Sequence, residues 1–201
     1  METNFNHTKY TSFIKVVHMI LLWLIVILFI GLGAMAVGAL IMLFIPRGLL
    51  DVDMASLSEI NTRLTAIIRE IDPGFFTGTV NVKRSIIALL LSGIAHAAFI
   101  QFIMIMLRKL IGNVKDHTPF RQNNAVILRN LGIGFLVASL VLPVFSSLSM
   151  LTVARMFDIF DQFQYRFSIQ WSHVFMGVLI LILAYVFSYG AYLQEEHDAT
   201  V

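Results

Sequence analysis

Cysteine is absent from the 201 residues. That excludes disulfides, thiol redox chemistry, cysteine-ligated zinc and iron–sulfur clusters. Charge is scarce too. Only 13% of residues are Asp, Glu, Lys or Arg and 58% are hydrophobic, whereas a soluble domain has about 25% and about 45–50%. The net charge of +2 comes from basic residues scattered between apolar runs. No basic stripe interleaves with aromatics, so direct nucleic-acid binding is not expected. Histidine pairs at zinc spacing, a phosphate-cradling glycine loop and a nucleophile elbow are missing as well. No catalytic set can be assembled, so the chain is read as a non-enzyme with no cofactor and no metal.

What is present is length of apolar sequence. A spanning helix needs about 20 mostly apolar residues. Runs at about 13–45, 85–107, 126–151 and 171–192 qualify. The first is too long for the roughly 7–15-residue core of a secretory signal, so it reads as a retained anchor. The expectation is an all-α membrane protein, four transmembrane helices in a bundle, forming one domain over 1–201. Small residues Gly31, Gly33, Ala34, Ala36, Gly38 and Ala39 suit close helix packing.

The connections at 46–84 and 152–170 are predicted to form a small outer element. Leu57, Ile60, Leu64, Ile67, Ile68 and Ile71 recur at amphipathic-helix spacing. Ser56 and Glu59 have the form of a capping box, and Asp72-Pro73-Gly74 supplies a stop. Alternation of Phe163, Tyr165, Phe167 and Ile169 with polar residues predicts a strand, pairing about 79–82 with 163–169. The loop 108–125 carries Arg108, Lys109, Lys115 and Arg121, which places it and both termini in the cytoplasm. Thr118-Pro119 suits a helix start, and Pro143 is expected to kink the third span, leaving a carbonyl for Ser139 or Ser146 to help satisfy.

At the loop, Pro119-Phe120, Asn124, Leu128-Arg129 and Gly132 form one motif; Gly190, Leu193-Gln194, Glu196, Asp198 and Thr200-Val201 form a second. With these the chain resembles the YoaS-like bacterial membrane protein family (domain of unknown function 2975). It departs from the family pattern at Asn123, where an acid is expected. The resemblance implies a four-span protein of the bacterial inner membrane. It also implies a regulatory or sensing unit, because genes of this family often neighbour one for a small helix-turn-helix regulator. No catalytic activity is implied. The basic loop and acidic tail suggest that Arg129 and Arg121 pair with Glu196 and Asp198, docking the tail on the third helix.

Ionisable residues inside a membrane suggest function. His96 is central in the second span, with Ser92 one turn before it and Gln101 after it. Imidazole titrates near neutrality, so a proton-linked or ligand site there competes with a plain structural histidine. Ser146, beside Pro143, could join that polar stripe in a transporter. A bis-histidine haem is disfavoured, because His18, His96 and His173 sit at different depths. Asp51, Asp53, Asp158 and Asp161 in the outer connections are weak cation ligands and better read as solvated. The leading expectation is sensing, regulation or protection by binding a ligand or protein partner, in contact with lipid and in a homo-oligomer if one forms. The alternative is a small-solute or ion transporter, or an intramembrane ligand-binding protein, centred on His96.

Overall fold

The computed structural model describes residues 2–53, 79–115, 122–156 and 168–200. Four helices carry the fold: α1 (Glu2–Phe44), α2 (Lys83–Lys115), α3 (Gln122–Met156) and α4 (Trp171–Thr200). All four are long and apolar enough to cross a membrane, over Phe13–Phe44, Lys83–Asn113, Gln122–Arg155 and Trp171–His197. Each run of apolar residues is continued by polar residues that also favour helix, so every helix outlasts its hydrophobic stretch. The tail past Tyr192 is the last two turns of α4 rather than a loose end. The proposed outer helix over 57–71, the capping residues Ser56 and Glu59, Asp158, Asp161 and the segment Thr118–Arg121 lie outside the described residues.

Backbone contacts divide the chain into two compact units, with α1, α2 and α3 running through both. The first holds residues 1–33, 95–143 and 168–201. Its core lies on α3, where Ala125, Ile127, Leu128, Leu131, Ala138 and Leu142 are buried, with Ala184 and Ala191 from α4. Here α3 and α4 come into backbone contact: a Cβ on Gly177 would lie 2.9 Å from the Gly132 carbonyl oxygen, and one on Gly132 would lie 3.0 Å from that of Gly177. The glycines of α1 do not play this part. Among the described residues, Gly31, Gly33 and Gly38 have nothing within 4 Å of an added Cβ. The expectation of close packing there is corrected: the tight crossing is made by α3 and α4, where glycines stand opposite each other.

Pro143 lies within α3. Lacking an N–H, it leaves the Ser139 carbonyl without its helical donor. The backbone N–H of Gln170, at the start of α4, donates to that carbonyl at 3.2 Å. Ser139 does not satisfy it, since its hydroxyl donates to the Leu136 carbonyl at 2.6 Å.

The second unit holds 34–94 and 144–167. A short 3-10 turn, Arg47–Leu50, leads into β1 (Asp51–Asp53), which pairs antiparallel with β2 (Thr79–Asn81). The strand expected at 79–82 is therefore present, but its partner is Asp51–Asp53. Residues 163–167 lie outside the described set, and 168–170 are not strand. Three residues flanked by acids give too little alternation to read as a strand, whereas the aromatic alternation at 163–169 was a longer pattern. Asn81 fixes the register. Its amide donates to Asp51 at 2.6 Å, and its carbonyl oxygen accepts the Lys83 N–H at 3.2 Å, capping the first turn of α2. Asp51 is thus a cross-strand partner in this hairpin.

Lys83 also closes α1. Its ammonium donates to the carbonyls of Leu43 and Ile45 at 3.1 and 2.6 Å, among the last acceptors of that helix. A cation there opposes the negative end of the helix dipole. Lys83→Met is expected to cost about 1 kcal/mol, seen as a lower unfolding midpoint in mild detergent, while Lys83→Arg retains most of it.

Candidate functional site

The residues singled out as an intramembrane stripe do not assemble into one site within either unit. His96 and Gln101 belong to the first unit, Ser92 and Ser146 to the second. His96 is half-buried on α2 and has a partner. Gln101 is buried; its amide nitrogen donates to the Ile25 carbonyl of α1 at 3.2 Å. The Gln101 Oε1 is buried and, among the described residues, has no hydrogen-bond partner. Ser146 is exposed. The serine that does point inward is Ser149, whose hydroxyl lies 2.8 Å from the Ala88 carbonyl of α2 and 3.0 Å from Phe145 in its own helix. Ser85 adds a bond to the Thr152 carbonyl at 3.3 Å, and Thr152 returns to Ser149 at 2.8 Å. Together these hydroxyls staple α2 to α3.

His173 stacks edge-on against Phe99 at 5.4 Å and lies 5.7 Å from the Phe135 ring. Its Nδ1 is buried and, among the described residues, unpartnered. Aromatic packing accounts for its placement. Among the described residues, no group of three or more His, Asp or Glu side chains could hold a metal ion.

The polar site of the first unit lies where α1, α2 and α3 meet toward the 116–121 connection. A cavity of about 590 Å³ is walled by His18 from α1, by Arg108, Lys109 and Asn113 from α2, and by Asn123 and Asn130 from α3. Its apolar lining includes Ile25, Ile105, Met106 and Ile127. The construction follows helix geometry. Positions 105, 108/109 and 112/113 share one face of α2, and 123, 126/127 and 130 share one face of α3, each at three- and four-residue steps. None of the described lining residues is acidic, and two, Arg108 and Lys109, are basic. Arg108 is half-buried, and its Nε is enclosed without a hydrogen-bond partner among the described residues. Chemically the described lining is suited to an anion or a strong acceptor. Among the described residues it pairs no acid with a base and sets no nucleophile beside a base.

Two of the motif residues lie close in sequence to the α3 wall of this cavity. Asn124 is fully buried and accepts a hydrogen bond from the Asn113 amide, tying the end of α2 to the start of α3 across the connection. Arg129 is exposed and borders a second hollow of about 310 Å³ with Tyr185 and Ser188 of α4. The expected Arg129–Glu196 pair is not seen among the described residues: Arg129 borders Ser188, and Glu196 lies eight residues beyond Ser188, about 12 Å along the helix at 1.5 Å per residue. Glu196 is exposed and has another partner; the Asp198 side chain, Pro119, Phe120 and Arg121 fall outside the described residues.

A family described as "Protein of unknown function (DUF2975)" matches residues 51–201. The chain belongs to that family. The DUF2975 match takes in α2, α3 and α4, and with them two of the three walls of the polar cavity. The α1 wall, with His18 and Ile25, precedes it. No curated protein and no solved structure matches the chain.

Sequence reasoning found Asn124 but missed the cavity. His18 had been weighed only as an iron ligand, and Arg108 and Lys109 only as markers of orientation. The signal that would have revealed it is the shared spacing of cations and asparagines on the facing ends of two helices.

Proposed function

We propose that this is a non-enzymatic multi-pass membrane protein that works by binding. It takes a ligand into the cavity between α1, α2 and α3 and signals occupancy to a protein partner at the Pro119–Arg129 segment. The carrying observation is the cavity itself: basic and amide side chains from three helices facing one space, with no acid among the described lining residues. Its location supports the coupling. Asn113 and Asn123 sit at the two ends of the connection that carries the Pro119-Phe120 motif, so a ligand held by both bears on that segment. The apolar lining at Ile25, Ile105 and Met106 supports holding a ligand over passing it through the bilayer. Four crossings put both termini on one side, and the excess of Arg and Lys at 108–121 supports the cytoplasm of a bacterial cell. The neighbouring-regulator pattern of the family supports a sensing role, with a soluble regulator as the partner.

Native mass spectrometry of protein taken gently from its own membranes tests this. A non-protein mass should accompany the wild type and be lost in Gly112→Phe, which fills the cavity from a position whose nearest contact is the flexible His18 ring at 3.8 Å. An empty wild-type cavity, with solute flux in proteoliposomes, would replace binding with transport.

A further inference from the structure

We propose that the cavity is a phosphate site, built to hold the phosphate of an anionic phospholipid headgroup with Arg108 as its main contact. This rests on the ligand-binding reading above and specifies the ligand.

The argument starts from Arg108. A guanidinium offers five N–H donors in a fixed fork and is never neutral in a protein. Its Nε–H is enclosed without an acceptor among the described residues. An unpaired, partly buried charge is costly, and the cost is relieved when an anion completes the pairing. None of the described lining side chains supplies that anion: each polar one is basic, an imidazole or an amide. A bound ligand can bring the negative charge.

Phosphate fits what surrounds it. Arg matches phosphate oxygens two at a time, and Lys109 adds a point charge from the next position. His18, Asn113, Asn123 and Asn130 come from three helices, so their N–H groups approach from several sides, as a tetrahedral oxyanion requires. The glycine at 112 leaves room beside the His18 ring.

The apolar part of the lining favours a lipid over a free ion. Ile25, Ile105, Met106 and Val126 share the same space as the cations. Arg108 and Lys109 lie five and four residues before Asn113, the end of the apolar stretch of α2. That is headgroup depth for a chain whose hydrocarbon-spanning segment ends there. An amphiphile with its phosphate on Arg108 and its glycerol and first methylenes on these side chains satisfies both halves of the lining.

The test is a titration of delipidated protein in neutral detergent, with bound mass read by native mass spectrometry. Phosphatidylglycerol, phosphatidylcholine and inorganic phosphate are the probes. One phosphatidylglycerol per chain should be retained, with phosphatidylcholine held at least about tenfold more weakly, because its choline cation offsets the phosphate charge and is repelled by Arg108 and Lys109. Arg108→Gln should weaken phosphatidylglycerol about tenfold or more without lowering the unfolding midpoint of the empty protein, since it removes an uncompensated charge. Asn123→Asp, at an exposed wall position, keeps Arg108 and adds a carboxylate; it should weaken the lipid as well. If inorganic phosphate displaces the lipid at equal concentration, the phosphate site stands and its natural source is soluble. Equal retention of both lipids, or retention indifferent to Arg108→Gln and Asn123→Asp, overturns the proposal. An uncharged ligand lost in Gly112→Phe would overturn it while leaving the binding function intact; no ligand of any kind would remove both.

Discussion

Gly177→Leu should uncouple α3 from α4, with most of the protein lost from the membrane or unfolding in detergent far below the wild-type midpoint. The reason is contact between backbones. A Cβ at Gly177 would sit 2.9 Å from the Gly132 carbonyl oxygen and 3.0 Å from Leu136. A carbonyl in mid-helix cannot turn aside as a side chain can, so the helices themselves must separate. Even Gly177→Ala should cost about 1–3 kcal/mol, the range for overpacking a close contact. In lipid this crossing has no hydrophobic drive to fall back on, since neighbouring acyl chains are as apolar as Leu136 or Leu181; packing and close approach hold it together. Gly93 is the matched control. There an added Cβ meets only the terminal methyl of Met35, which has free torsions to move away. Thermal unfolding of Gly177→Ala and Gly93→Ala side by side checks the argument. Equal midpoints would show that the Gly132–Gly177 approach carries no stability.

The four helices were legible because a bilayer imposes a length on apolar sequence, and each run here exceeds it. Their ends were not legible from hydropathy. Residues 108–115 and 193–200 lie beyond the apolar runs read from the sequence, yet the helices run on through them. Gly132 shows a different limit. It was noted as part of a loop-side motif, but its purpose depends on Gly177, forty-five residues away, and a single sequence does not pair them. The small residues of α1 gave the more visible pattern, yet an added Cβ on Gly31, Gly33 or Gly38 meets nothing within 4 Å among the described residues. Composition can mark where helices are able to approach; only the partner decides where they do.

The candidate site was hidden for a related reason. His96 stands out because it is a lone ionisable group in a long apolar run, and such a group draws attention whether or not it binds anything. The cavity instead uses Arg108, Lys109 and three asparagines at helix ends, where polar residues are ordinary. Their significance comes from convergence with His18, ninety residues earlier than Arg108. Motif reading reached the rim of the site at Asn124 and went no further, because a buried asparagine and an exposed one look the same in sequence.

Asn124 carries the second large expected effect. It is 0% exposed, and its side-chain oxygen accepts from the Asn113 amide. Asn124→Ala should cost about 2–3 kcal/mol, combining the lost bond with an Asn113 donor left without this acceptor. Asn113→Ala should cost less, because Asn113 is only half-buried whereas Asn124 is fully enclosed. The double substitution should cost less than the sum of the singles by about 1 kcal/mol, since the second change removes a bond already broken. Asn124→Asp keeps the acceptor and buries a charge, so it should be worse than alanine at neutral pH. The same bond sets the cavity wall: Asn113 lines the site, and Asn124 follows Asn123, which also lines it. Loosening the clamp should therefore weaken ligand retention even where the protein still folds, an effect no purely stabilising pair would show. A double-mutant cycle on unfolding midpoint and on bound lipid separates the two roles. Additive stabilities would sink the clamp, and unchanged lipid retention in the folded fraction of Asn124→Ala would separate the clamp from the site.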